Sequence, residues 1–159
     1  MIGLVAGLLL TLVVSGLCSL CFNMDLNWWI ALEKPSFVLS GGWFSVFVAA
    51  SYLSSVLAIS RLVEFKHIFP SMLYFVILGV FCILFMLAFF TLKNLLFGLI
   101  CMCVVLVVSY LLFIRFLTKE IKIAIEFLPT FLFNIYGYLC VLCIRSEEHT
   151  SELQSPVPI

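Results

Sequence analysis

Phe69-Pro-Ser-Met-Leu-Tyr-Phe-Val-Ile-Leu-Gly-Val-Phe-Cys-Ile-Leu-Phe-Met-Leu-Ala-Phe-Phe90 carries no charged side chain anywhere along its length. A run of this kind is about as long as a helix needs to cross ~30 Å of hydrocarbon at ~1.5 Å per residue. Four further apolar stretches flank it, approximately Met1–Phe22, Trp43–Val63, Leu95–Phe116 and Ile123–Ile144, and the connectors between them hold most of the charge. Inside lipid no water satisfies a backbone N–H or C=O, so each stretch must close its hydrogen bonds on itself as a helix. The chain therefore reads as all-α, an integral membrane bundle of five transmembrane helices over residues 1–144.

Composition excludes the main alternatives. With 65% hydrophobic residues, 10% charged and a mean hydropathy of +1.33, the chain has too much apolar surface for one water-soluble core of its length. Its net charge is zero and no basic cluster stands out, so nucleic acid is not an expected partner. Met1–Phe22 has no Lys or Arg ahead of its apolar run and no small-residue cleavage site; Leu precedes both Cys18 and Cys21. It reads as a retained first helix.

After Ile144 the composition switches abruptly to Arg145-Ser-Glu-Glu-His-Thr-Ser-Glu-Leu-Gln-Ser155. This string resembles the in-frame translation of a sequencing-library adapter, so residues 145–159 are expected to be a non-native or disordered tail. Without them the bases are Lys34, Arg61, Lys66, Lys93, Arg115, Lys119 and Lys122, and His67 is the remaining histidine. Arg61, Lys66, Arg115, Lys119 and Lys122 cluster at the ends of the second and fourth spans and in the connectors that follow, whereas the other two connectors hold only Lys34 and Lys93. The positive-inside rule then places the N-terminus in the cytoplasm and the first connector on the opposite side. Short later connectors predict antiparallel neighbours in a compact up-down bundle.

The first connector, Asn23–Gly42, is the long one, and with Trp43 it contains all three tryptophans of the chain. Long loops tend to be lids or binding loops. Proline at position 35 biases Lys34 toward an extended backbone, and Gly41-Gly42 is expected to free the chain ahead of the second span. An aromatic belt at the membrane interface explains the tryptophans by itself, but not the loop's length or its Lys-Pro pair.

Trp28-Trp29-x-x-Leu32-x-Lys34-Pro35-x-Phe37, followed by Trp43-Phe44 and Tyr52-Leu53, resembles the tryptophan-rich sensory protein and translocator protein family (TspO/MBR). Phe89-Phe90-x-Leu92-Lys93 and Pro129-x-x-x-Phe133 extend the likeness. The resemblance implies a five-helix fold that binds a tetrapyrrole or sterol-like ligand in a cavity capped by the first loop, with a sensor or transport role in a bacterial cell membrane. On that basis the ligand-binding residues are Trp28, Trp29, Lys34, Pro35, Phe37, Trp43, Phe85, Phe89, Phe133 and Tyr136. The expected partners are the lipid bilayer, a hydrophobic small molecule such as a porphyrin or haem-like compound, and a second copy of the chain. The rival expectation is a structural or partner-binding bundle with no small-molecule ligand.

Departures from the family pattern matter too. Its Pro-Pro pair is Leu39-Ser40 here; its Gln, Asn and Trp in the third span fall on Leu78, Cys82 and Phe85; and its final Asn falls on Val141. Aliphatic and phenyl groups replace most polar contacts of the family's cavity.

The remaining signals have plain readings. Cys18-x-x-Cys21 and Cys140-x-x-Cys143 have spacing that suits a metal, but no His or acid joins either pair, and buried Cys behaves as a small hydrophobe. No metal is expected. Val108-x-Tyr110 with Arg115 fits a loose cholesterol-contact pattern, and an interfacial anchor is the simpler account. Asn134 is expected either to bond a neighbouring helix, the simpler role, or to face the cavity, and Lys122 to pair with Glu126 at i,i+4. No nucleophile–base pair, nucleotide loop or metal triad is visible, so nothing argues for an enzyme.

Overall fold

The computed structural model describes residues 2–21, 26–32, 34–64 and 68–154. Its helices are α1 (Ile2–Cys21), α2 (Leu26–Ala31), α3 (Gly41–Glu64), α4 (Ile68–Met86, running into a π-helical turn Leu87–Thr91), α5 (Leu95–Lys119) and α6 (Ile121–Gln154). All but α2 are long and apolar enough to cross a membrane, which gives the five spans that the apolar runs predict. Lys66 and His67 lie outside the described residues.

Two local differences from the sequence reading have clear causes. The long connector contains α2, which ends with the Leu32 N–H bonded to the Trp28 carbonyl (3.2 Å), shortly before Pro35 would break it. The Gly41-Gly42 pair is not a free hinge, because α3 starts at Gly41 and no described glycine takes a positive φ. Beyond Ile144, α6 runs on without a break to Gln154. Residues 145–154 contain neither Gly nor Pro, and adding a turn to an existing helix avoids the cost of nucleating one.

The spans close a ring in the order α1, α3, α6, α5, α4. Short connectors do set α4 beside α5 and α5 beside α6. They do not set α3 beside α4, which meet only sparingly because α1 wedges between them. Glycines make that wedge possible. A Cβ on Gly7 would sit 2.7 Å from the Val56 carbonyl oxygen, and one on Gly3 would collide with the Ser60 carbonyl, so α1 lies against the bare backbone of α3. On the other flank Val14 of α1 fills the space left by Gly79 of α4. Small residues at helix contacts are how bundles tighten in lipid, where burying apolar surface against protein gains little over burying it against acyl chains.

Large apolar side chains cover the outside: Ile2 is 80% exposed and Leu20 83%. Buried polar groups lie inside, among them Ser54, Ser71, Ser109, Thr130 and Asn134. That distribution is the reverse of a water-soluble protein's and suits a lipid solvent. Near the α5–α6 turn the interior is filled by Phe75, Phe116 and Phe127, whose ring centroids lie 5.5–6.2 Å apart.

A polar seam joins α3 to α6. The Thr130 hydroxyl donates to the Ser51 carbonyl (2.8 Å) and lies within bonding distance of Ser55 Oγ (2.9 Å) and Ser54 Oγ (3.1 Å). Ser54 in turn donates to the Glu126 carbonyl, one turn before Pro129, which lacks the N–H for a helix hydrogen bond. Interhelical bonds of this kind average ~0.6 kcal/mol in lipid, so they fix register more than they supply stability. One expectation fails along this seam. Glu126 pairs with Arg61 of α3 (3.1 Å) rather than with Lys122, which is exposed and extends outward instead. Asn134 is buried, yet its Nδ2 has no partner among the described residues, because the hydroxyls of α3 stand level with Thr130 a turn earlier.

Candidate functional site

The connector between α1 and α3 is tied to the bundle by two aromatic clusters. The first begins on α2, where the consecutive Trp28 and Trp29 meet the consecutive Phe89 and Phe90 of the π turn. Trp28 packs edge-on against Phe89 (5.5 Å, 72°) and Trp29 lies tilted against Phe90 (6.1 Å). Neighbouring α-helical residues point about 100° apart, so an ordinary helix end presents two adjacent rings to one partner poorly. The π turn inserts an extra residue and brings Phe85, Phe89 and Phe90 into mutual contact at 4.9–6.3 Å. Such turns often mark functional sites. Phe89 is only 2% exposed, and Gly98 of α5 makes room for it: a Cβ there would come within 3.2 Å of the ring.

Lys34 belongs to this cluster. Its Nζ sits 4.9 Å above the Trp29 ring and donates to the Leu32 carbonyl (3.1 Å). A cation over an indole face gains about 0.5–2 kcal/mol depending on desolvation, so the lysine helps to fasten the loop to α2.

The second cluster lies on α6. After Pro35 the chain turns, with the Val38 N–H bonded to the Pro35 carbonyl (3.0 Å). The Leu39 N–H then donates to the Tyr136 hydroxyl (2.8 Å), and Phe37 packs edge-on against the Tyr136 ring (6.5 Å). Phe133 joins Tyr136 (6.4 Å) to Phe44 at the start of α3 (5.8 Å). In the ring of spans α4 and α6 flank α5, so the loop crosses the end of the bundle where α5 begins.

Of the residues proposed from sequence, Trp28, Trp29, Lys34, Phe85 and Phe89 fall in the first cluster. Phe37, Phe133 and Tyr136 fall in the second, with Pro35 in the turn between them. Trp43 stands apart from both. It is 63% exposed on the outer face of α3, where an interfacial tryptophan belongs. Sequence reasoning missed Phe44 and Phe90 as contact residues and the Leu39 amide as a tether. The pairing of a Trp-Trp with a Phe-Phe was a visible signal; nothing in the residue types marked the π turn.

Leu78 and Val141 lie in the buried core, at positions where the family pattern carries polar groups, and Phe85 packs against it. Among the described residues no group of three or more His, Cys, Asp or Glu side chains is arranged to hold a metal ion, and all seven cysteines are free. A separate groove on α1, lined by Ile2, Val5, Ala6 and Leu9, faces outward and is wholly apolar, as a lipid-contacting surface is.

No curated protein matches the chain. The sequence profile of the TspO/MBR family matches residues 3–149, nearly the whole chain, and this five-span integral membrane protein belongs to that family.

Proposed function

We propose that the protein binds a hydrophobic ligand, tetrapyrrole or sterol-like, beneath the loop that joins α1 to α3, and that it acts in sensing or transport rather than catalysis. The observation that supports this reading is the tethering of the loop to α4 by one aromatic cluster and to α6 by another. Trp28, Trp29, Phe37, Phe85, Phe89, Phe133 and Tyr136 supply rings, and Lys34 supplies a cation for a ligand carboxylate. Titration with protoporphyrin, followed by tryptophan fluorescence, tests it. Quenching should saturate, persist in Trp43→Phe and fall in Trp28→Phe and Trp29→Phe. Pro35→Gly should weaken the binding with little change in helical content, because a looser loop loses more entropy when it closes over a ligand. Linear, unsaturable quenching would overturn the reading. It would favour the structural or partner-binding bundle, for which the filled phenylalanine interior is the supporting observation.

The same reading places the N-terminus in the cytoplasm of a bacterial cell, with the loop on the far side of the cell membrane. It also allows a second copy of the chain as a partner. Arg61, Arg115, Lys119 and Lys122 collect at the end opposite the loop, which supports this orientation. Single cysteines at Ser40 and at Lys119, in a background freed of native cysteines, should be labelled by an impermeant reagent from opposite faces. Labelling of both from one face would refute the orientation.

A further inference from the structure

We propose that the α4–α5 face at the basic end of the bundle binds one anionic phospholipid, with its phosphate held by Arg115 and Lys119 of α5. Arg115 lies inside the α5 span and is half-buried. Its Nε donates to the hydroxyl of Ser71 on α4 (3.0 Å), and Ser71 is itself buried. The bond orients the guanidinium without neutralising it, since a hydroxyl carries no charge. The other guanidinium N–H groups have no acceptor among the described residues.

Among the described side chains, the nearby acids do not supply the missing charge. Glu126 is paired with Arg61, and Glu120, at the C-cap of α5, forms no ion pair with Arg115 or Lys119. Lys119 stands one turn beyond Arg115, so it shares that face of α5, and it too lacks an anionic partner among the described residues. A charged group within a span needs compensation, and basic pockets between transmembrane helices find it in lipid headgroups.

The surface below the two cations selects a lipid over a free anion. Leu111 and Val107, one and two turns back from Arg115, are 44% and 56% exposed. Phosphate-binding cations thus sit directly above an apolar strip of α5, and the molecule that matches both parts is a phospholipid with a net negative headgroup.

The test uses the full chain in nanodiscs and in detergent. Native mass spectrometry after mild delipidation should show phosphatidylglycerol retained several-fold over phosphatidylcholine. Arg115→Gln and Lys119→Gln should each lower that retention about fivefold, in line with ~1 kcal/mol per cation near an anionic surface. Ser71→Ala should lower it less, and Lys93→Gln, at the other end of the bundle, should not change it. Should Arg115→Gln fail to insert, Lys119→Gln carries the test. Equal retention of the two lipids by the native chain overturns the proposal. So does unchanged retention in both glutamine variants, or full displacement of the lipid by excess inorganic phosphate.

Discussion

Gly7→Leu is expected to detach α1 from α3 and give a protein that is inserted and helical but loses its cooperative thermal transition. The graded version is more informative. Gly7→Ala should lower the thermal midpoint in detergent, while Gly16→Ala should leave it unchanged or raise it. Alanine is the better helix former by ~1 kcal/mol, and at Gly16, where a Cβ would meet nothing within 4 Å, that preference acts alone. At Gly7 the new Cβ would come 2.7 Å from the Val56 carbonyl oxygen, and a backbone atom cannot rotate away. Overpacking of this kind costs about 1–3 kcal/mol, which outweighs the gain in propensity. Circular-dichroism melts of the two alanine variants, recorded side by side, check the sign. Equal midpoints would mean that α1 and α3 do not rest backbone to backbone.

The second large effect is expected from Phe89→Ala. Truncating a buried phenylalanine costs about 3–5 kcal/mol, and this ring contacts Trp28, Phe85 and Phe90 together. The thermal midpoint should therefore fall. At the same time the emission of Trp28 and Trp29 should shift to the red as α2 lifts from the π turn, best read in a Trp43→Phe background. Phe133→Ala should cost less, because Phe133 is only half-buried, and should leave that emission nearly unchanged. A fall in stability without the red shift would show that α2 is held by something other than Phe89. Together the two variants separate the contribution of the bundle from that of the loop clasp.

Much of the candidate site was legible in residue types. Trp28, Trp29, Lys34 and Phe37 stood out because aromatic residues and a Lys-Pro pair are unusual in one long connector. The same logic added Trp43, whose residue type is as suited to the lipid interface as to a binding pocket; it lies exposed on α3, apart from both aromatic clusters, and only the rotation of α3 set that placement. Glu126 shows a similar limit. Its i,i+4 neighbour Lys122 was the visible partner, yet Arg61, remote in sequence, is the one that reaches it. A local pair on an exposed helix face is held weakly, and a partner across an interface wins when packing delivers it.

The five spans follow from the sequence alone, because each helix in lipid satisfies its own backbone and the length of an apolar run is enough to specify it. The ring order, the wedge of α1 between α3 and α4, the π turn beneath Trp28 and Trp29, and the orphaned Asn134 amide were decided only by tertiary structure. All sides of these helices are apolar and acyl chains are as apolar as leucine, so hydrophobic periodicity cannot say which face meets a neighbour. Shape settles that instead, at glycines, ring stacks and hydroxyls whose partners lie far away in the chain.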